Sequence, residues 1–343
     1  LLAVTIGLPY VLLSTTSPLI QSYFARLRPG QDPYRLFALS NAASLVALVA
    51  YPVVIEPFVG TRMQAWGWSS LFALFVLLLG ALAWRVSRVP AIDTAATTGT
   101  AVGAASSSDD DSPPLSAQSR WIALSGAGSM LLLAVSNHIT QNVASVPLLW
   151  ILPLTLYLLT FILTFDGTGW YKRTAYAGPF MVLVTGMCFL LVNKDFQFDL
   201  IVQTSVFCVG LFVVCMVCHG ELVMAKPAPR HLTRFYLLVS IGGALGALVV
   251  SVLAPLLFAT YVETALALLV AALLFVPVAQ AAHPFLQWIA VALAIGVVGT
   301  AGWYVREEHK NAVEVTRNFY GVLKVKSYDE PGSDSYLVRL VHG

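Results

Sequence analysis

Two cysteines and a histidine stand as Cys215-Met216-Val217-Cys218-His219, the spacing used for covalent attachment of a c-type haem. That chemistry needs the thiols and the imidazole on a segment that can wrap a porphyrin outside the membrane. These residues instead close a hydrophobic run on the side assigned below to the cytoplasm. Cysteine is a common small residue of buried helices, so packing is preferred over haem, and neither a metal nor a cofactor is expected. Cys188 and Cys208 also fall inside apolar runs, which suggests no disulfide framework.

A second group is Asn137, His138, Gln141 and Asn142, in which Asn137 with Gln141 and His138 with Asn142 are i, i+4 pairs on one helix end. Polar groups in lipid either find partners or line a wet cavity. The group is thus a candidate polar pocket with His138 as a proton-responsive contact. Interhelical hydrogen bonding, at about 0.6 kcal/mol per bond, is the preferred reading. Glu56 and Glu263 are candidate intramembrane carboxylates, for which an interfacial position is preferred over a cation or amine site. Glu221, Lys226, Arg230, His231 and Arg234 form a basic connection suited to a cytoplasmic lipid surface. Gly242 and Gly246 allow a second helix to approach closely, and Ser14, Thr15, Thr16, Ser17, Pro18 and Gln21 give the first apolar run a kinkable polar stripe.

The elements that must position these residues are written for lipid. Only 10% of the 343 residues are charged, 58% are hydrophobic and the mean hydropathy is +0.80, whereas soluble domains carry roughly 25% charged residues. Lys and Arg are scattered singly between apolar runs, which excludes a nucleic-acid partner. Runs able to cross roughly 30 Å of hydrocarbon lie near 1–24, 34–57, 66–86, 120–141, 146–165, 175–193, 200–219, 233–257, 261–280 and 285–304. The expected fold is an all-α polytopic membrane protein of about ten transmembrane helices with a short C-terminal β-hairpin.

Residues 87–119 are small, polar and acidic, and are expected to form a disordered linker between three helices (1–86) and seven (120–305). Alternate loops fall on two faces. One holds Arg26, Arg28, Arg35, Arg85, Arg88, Arg120, Lys172, Arg173, Lys226, Arg230 and Arg234, and the other only Arg62 and Lys194. The richer face is assigned to the cytoplasm, in an integral plasma (inner) membrane, which places the tail after the last span outside. In that tail (306–343), residues 317–326 and 336–341 alternate about a turn at 329–334, the pattern of a β-hairpin. A lone hairpin is marginal in water, so a protein partner or a further domain is expected there. The chain opens at Leu1 inside an apolar run, which reads as a fragment.

Five blocks, GLPYVLLSTTSPLIQ (7–21), DPYRLFALSNAASLVALVAYPVVIEP (32–57), NHITQNVASVPLLWILPLTLYLLTFIL (137–163), the stretch from CHGELVMAKPAPRH to APLLF (218–258) and RNFYGVLKVK with LVRLVHG (317–326, 337–343), occur in one order. Together they resemble the membrane-fused spermidine-synthase-like family, a loosely major-facilitator-like membrane region joined to an aminopropyltransferase-type domain. The resemblance implies that the tail is the start of that domain's small N-terminal β lobe. The family's chemistry belongs to a Rossmann-like part with a glycine-rich turn. No such turn follows a strand in this sequence, so no catalytic residue is carried over. Three functions stay open: a non-catalytic membrane subunit that docks a partner, the membrane half of a bifunctional aminopropyl- or methyltransferase-like enzyme, and a transporter of a small cation or polyamine. No second half visibly repeats the first.

Because 87–119 lacks core-forming residues, proteolytic nicking inside it leaves the helices on its two sides associated. Co-purification of both fragments after cutting checks this, and their separation would show that the linker is structural.

Overall fold

Apolar runs of membrane length fold as helices because a lipid-facing backbone has to close its own hydrogen bonds. The computed structural model describes residues 5, 7–28, 30–88, 112–142, 149–167, 169–193, 199–318, 321–328 and 337–342, with the backbone alone for 8, 9, 141, 142 and 342. In chain order the helices are α1 (Leu8–Ser14), α2 (Thr16–Leu27), α3 (Arg35–Ala50), α4 (Glu56–Phe58), α5 (Thr61–Ser87), α6 (Leu115–Asn142), α7 (Ile151–Phe165), α8 (Arg173–Val192), α9 (Leu200–Met224), α10 (Leu232–Leu248), α11 (Ala254–Leu257), α12 (Glu263–Ala282) and α13 (Pro284–His309). Three strands follow, β1 (Ala312–Asn318), β2 (Gly321–Tyr328) and β3 (Leu337–His342).

Among the described residues, eight helical spans are long and apolar enough to cross a membrane, and the chain is a multi-pass membrane protein. Among the described residues, the two other expected spans are divided or shorter. The first is divided into α1 and α2 at Thr15, where the Ser14, Thr15 and Thr16 hydroxyls bond back to the carbonyls of Val11, Leu12 and Leu13, a pattern that bends helices. The fifth gives α7, 15 residues long, against the roughly 20 a full crossing needs. The expected linker begins and ends inside structure. Ser87 closes α5, and α6 starts at Leu115 with Gln118 Nε2 donating to Pro113 O at 2.6 Å; residues 89–111 lie outside the described residues.

α6, α9 and α12 are the most buried helices, whereas α3 and α5 present Leu39, Val46, Trp66, Trp68, Leu71 and Leu77 outward. An apolar surface this continuous is a lipid contact. At one end of the bundle Tyr34, Phe37, Trp121, Phe161, Phe165, Phe235 and Tyr236 interlock edge to face or tilted. α10 crosses α6 at backbone contact. A Cβ on Gly242 would lie 2.4 Å from Ile122 O, and one on Gly246 would lie 2.3 Å from Gly126 O. The expected small-residue pair therefore has its partner surface on α6.

Two helices share a device. α3 passes through a π-helical turn at Tyr51–Ile55 into α4, and α10 passes through another at Val249–Leu253 into α11; Pro57 and Pro255 stand two residues after each turn. Single π turns inside α-helices recur at functional sites.

The tail is not the expected two-stranded hairpin. It is a three-stranded antiparallel sheet in the order β1-β2-β3, and the stretch 317–326 belongs to two strands. Asn318 pairs with Gly321, whose φ of 150° lies outside the range of other residues and whose N–H donates to Asn318 Oδ1 at 3.2 Å. Alternation continues on both sides of this point, so periodicity alone reads through it.

Gly246→Ala forces the α6–α10 contact apart and lowers stability by about 1–3 kcal/mol. Gly302→Ala on α13, with nothing within 4 Å of the added carbon, is the control. Thermal unfolding in detergent distinguishes the two variants.

Candidate functional site

The most concentrated polar chemistry lies at the C-terminal end of α9. Glu221 is fully buried, and its carboxylate is met from three other segments: Arg120 Nη2 on α6 at 2.5 Å, Arg173 Nε and Nη2 on α8 at 2.6 and 2.9 Å, and the Tyr171 hydroxyl at 2.8 Å. The arginines keep part of their hydration, with 43% and 29% of their side chains exposed. Burial, and then the adjacent carboxylate, push the Tyr171 phenol upward, so it remains a donor. Gly220 permits the approach, since a Cβ there would fall 2.2 Å from the Tyr171 ring. Two cations on one carboxylate leave this end with a net positive charge.

Two residues earlier on α9, His219 is buried with its ring stacked on Phe161 at 3.6 Å and edge-on to Tyr157. The Thr160 hydroxyl donates to Tyr157 O at 2.7 Å and lies 2.8 Å from His219 Nδ1. With the hydroxyl proton on Tyr157 O, Nδ1 is the donor in the second bond and Nε2 carries the lone pair. Nε2 has no partner among the described residues, and a Cβ on Gly128 would lie 3.0 Å from it. Cys215 and Cys218 are buried on the same helix, with Cys215 Sγ 4.0 Å from Gly128 O. The Cys-His-Gly-Glu run is thus one continuous interior surface, and its charged member is the residue that sequence reading assigned to a surface connection.

The same end gathers the basic loops. Arg35 pairs with Asp166 at 3.3 Å, Lys226 pairs with Asp32 at 2.6 Å, Tyr34 donates to Pro227 O and Trp121 to Ala225 O. Burial, and then Asp32, raise the Tyr34 phenol, which keeps that hydroxyl a donor as well. α10 and α11 run from Leu232 to Leu257, so the 258–263 connection lies at the far end of a rod roughly 40 Å long at 1.5 Å per residue.

That far end holds Glu263. It is neither lipid-facing nor free: Arg317 of β1 closes on its carboxylate, donates to Thr260 O at 2.9 Å and lies 4.7 Å above the Tyr261 ring. Lys324 of β2 forms a second buried ion pair with Glu308 of α13. Glu56, the other candidate carboxylate, is exposed at the start of α4.

Of the expected pocket on α6, the side chains of Asn137 and His138 are described. Asn137 is exposed, and His138 is half-buried with its ring 4.2 Å from Phe207 of α9. The side chains of Gln141 and Asn142 lie outside the described residues. The Glu221 and Glu263 clusters pair residues from 48 to 101 positions apart, and the only sequence signal was the presence of carboxylates beside apolar runs. No protein-family model, curated protein or solved structure matches the chain.

Glu221→Gln leaves two arginines facing a neutral amide. Removing one partner of a fully buried pair costs about 3–5 kcal/mol; partial hydration of the arginines lowers the expectation to roughly 2–3 kcal/mol. Thermal unfolding in detergent measures it, and an unchanged midpoint would show that the cluster is dispensable.

Proposed function

We propose that this chain is a non-catalytic membrane module that holds a small β lobe rigidly against one membrane face for a protein partner or a spermidine-synthase-type domain to build on. The observation that carries this reading is the pair of buried ion pairs, Arg317–Glu263 and Lys324–Glu308, which join the sheet to the ends of α12 and α13. A tail serving only as a tether would need no such seam, because desolvating four charges is costly unless the geometry they fix is used. β3 leaves Leu337, Val338 and Leu340 exposed on the free edge of the sheet, the surface a partner strand or domain would cover.

The loop charges favour an inner-membrane protein of about ten spans, with α1–α2 and α7 supplying the two short ones. On that topology the basic end is cytoplasmic and the sheet is extracytoplasmic. The membrane half of a bifunctional transferase stays the first alternative, favoured if the sheet faces the cytosol, where nucleoside donors are made. Transport of a small cation or polyamine is the second. The π turns at 51–55 and 249–253 favour it, as does His219, buried with Nε2 unpartnered among the described residues.

Glu263→Gln frees the sheet while leaving the helices packed: hydrogen exchange at Val315 and Leu323 quickens at least tenfold, and α6 and α9 amides stay protected. Unchanged exchange in the sheet would defeat the docking role. In intact cells Val313→Cys, at an exposed site, reacts with a membrane-impermeant thiol reagent, whereas the four buried native cysteines do not. Labelling that appears only after the cells are opened would put the sheet in the cytoplasm and favour the enzyme reading.

A further inference from the structure

At the basic end, between α2, α3 and the end of α7, lies an open cavity of about 720 Å³, within the range of small-molecule sites. It has two chemically distinct parts. Its polar side carries Asp32, Arg35 and Asp166, and its apolar side carries Phe24, Ile162 and the outward-facing Leu39. Arg35 is the first residue of α3 and Asp166 directly follows α7, so the polar side lies where hydrocarbon meets water.

The charges on the polar side are unequally committed. Asp32 is satisfied by Lys226 at 2.6 Å and by the Tyr34 N–H at 3.0 Å. Asp166 is held by Arg35 through one 3.3 Å bond, with both side chains largely in contact with solvent, at 41% and 66% exposure. Such a pair contributes little by itself and opens readily. Arg35 has five N–H donors and uses one on Asp166. A guanidinium with donors to spare beside a loosely held carboxylate is complementary to an anion and a cation joined by a short bridge. With Lys226 counted, the two carboxylates are balanced by two cations, so the polar side favours a zwitterion over a net anion.

The geometry points to a binding site for one phospholipid with a primary-amine head of the phosphatidylethanolamine class, its phosphate on Arg35, its ammonium on Asp166 and the start of an acyl chain along Phe24, Leu39 and Ile162. A choline head fits the polar side less well because its methylated nitrogen has no N–H for the carboxylate. A soluble phosphoethanolamine would fill the polar side and leave the apolar side unused.

Native mass spectrometry of the full chain, delipidated in detergent and titrated with short-chain lipids, tests this. The expected result is one phosphatidylethanolamine held about tenfold more tightly than phosphatidylcholine or phosphatidylglycerol, a difference of about 1.4 kcal/mol. Asp166→Asn removes the preference over phosphatidylcholine, and Arg35→Gln weakens all phospholipids about tenfold. Ala42→Trp fills the apolar part of the cavity, leaves every ion pair intact and abolishes retention, which keeps the test valid where the charge variants unfold. Equal retention of the three lipids, tighter phosphatidylglycerol, or an undiminished preference in folded Asp166→Asn would overturn the site. So would phosphoethanolamine alone competing at equal concentration, because the ligand would then be a soluble metabolite.

Discussion

A carboxylate that enters the helix packing of a membrane protein must bring its cations with it, because neither lipid nor a dry interior can hydrate it. Glu221 shows what this requirement does to the fold. Its partners come from α6, α8 and the loop before α8, so meeting one buried charge fixes where three separate segments end. The aromatic cluster below it and the Tyr34 and Trp121 bonds to the 225–227 connection lie within the frame those ends define. The surrounding charge is net positive, which suits contact with an anionic lipid surface.

The opposite end solves the same problem with a different chain segment. Glu263 and Glu308 lie at the ends of α12 and α13, where carboxylates meet the sheet instead of water. Their cations come from β1 and β2, and the sheet is therefore as much a lid on two charged helix ends as a separate lobe. A small sheet gains stability from a hydrophobic face or from packing on helices; here the buried pairs and the fully buried Val322 tie it to the bundle.

Between the two ends, close packing substitutes for polar contacts. α6 and α10 meet through Gly126, Gly242 and Gly246 at distances only a missing side chain allows. In lipid, where apolar association gains little from leaving the solvent, such contact is a principal source of helix cohesion. The π turns at 51–55 and 249–253 interrupt two helices, each two residues ahead of a proline.

The sequence by itself determined whatever depends on local composition. Runs of apolar residues longer than a bilayer is thick can only be helices there, so the membrane class and most helix positions were legible, as was the Gly242–Gly246 contact face. The strand count was missed because alternation in 317–326 continues past Asn318 and Gly321 in both directions, so the reversal leaves no break in the period. Which carboxylates matter was decided only by tertiary structure. Glu221 looked like part of a basic surface connection and Glu263 like an interfacial helix start, since nothing local marks a residue whose partners lie 48 and 101 positions away for the one and 54 for the other. Ion pairing in a low-dielectric interior is set by which helix ends coincide in space, and that coincidence comes from the packing of the whole bundle.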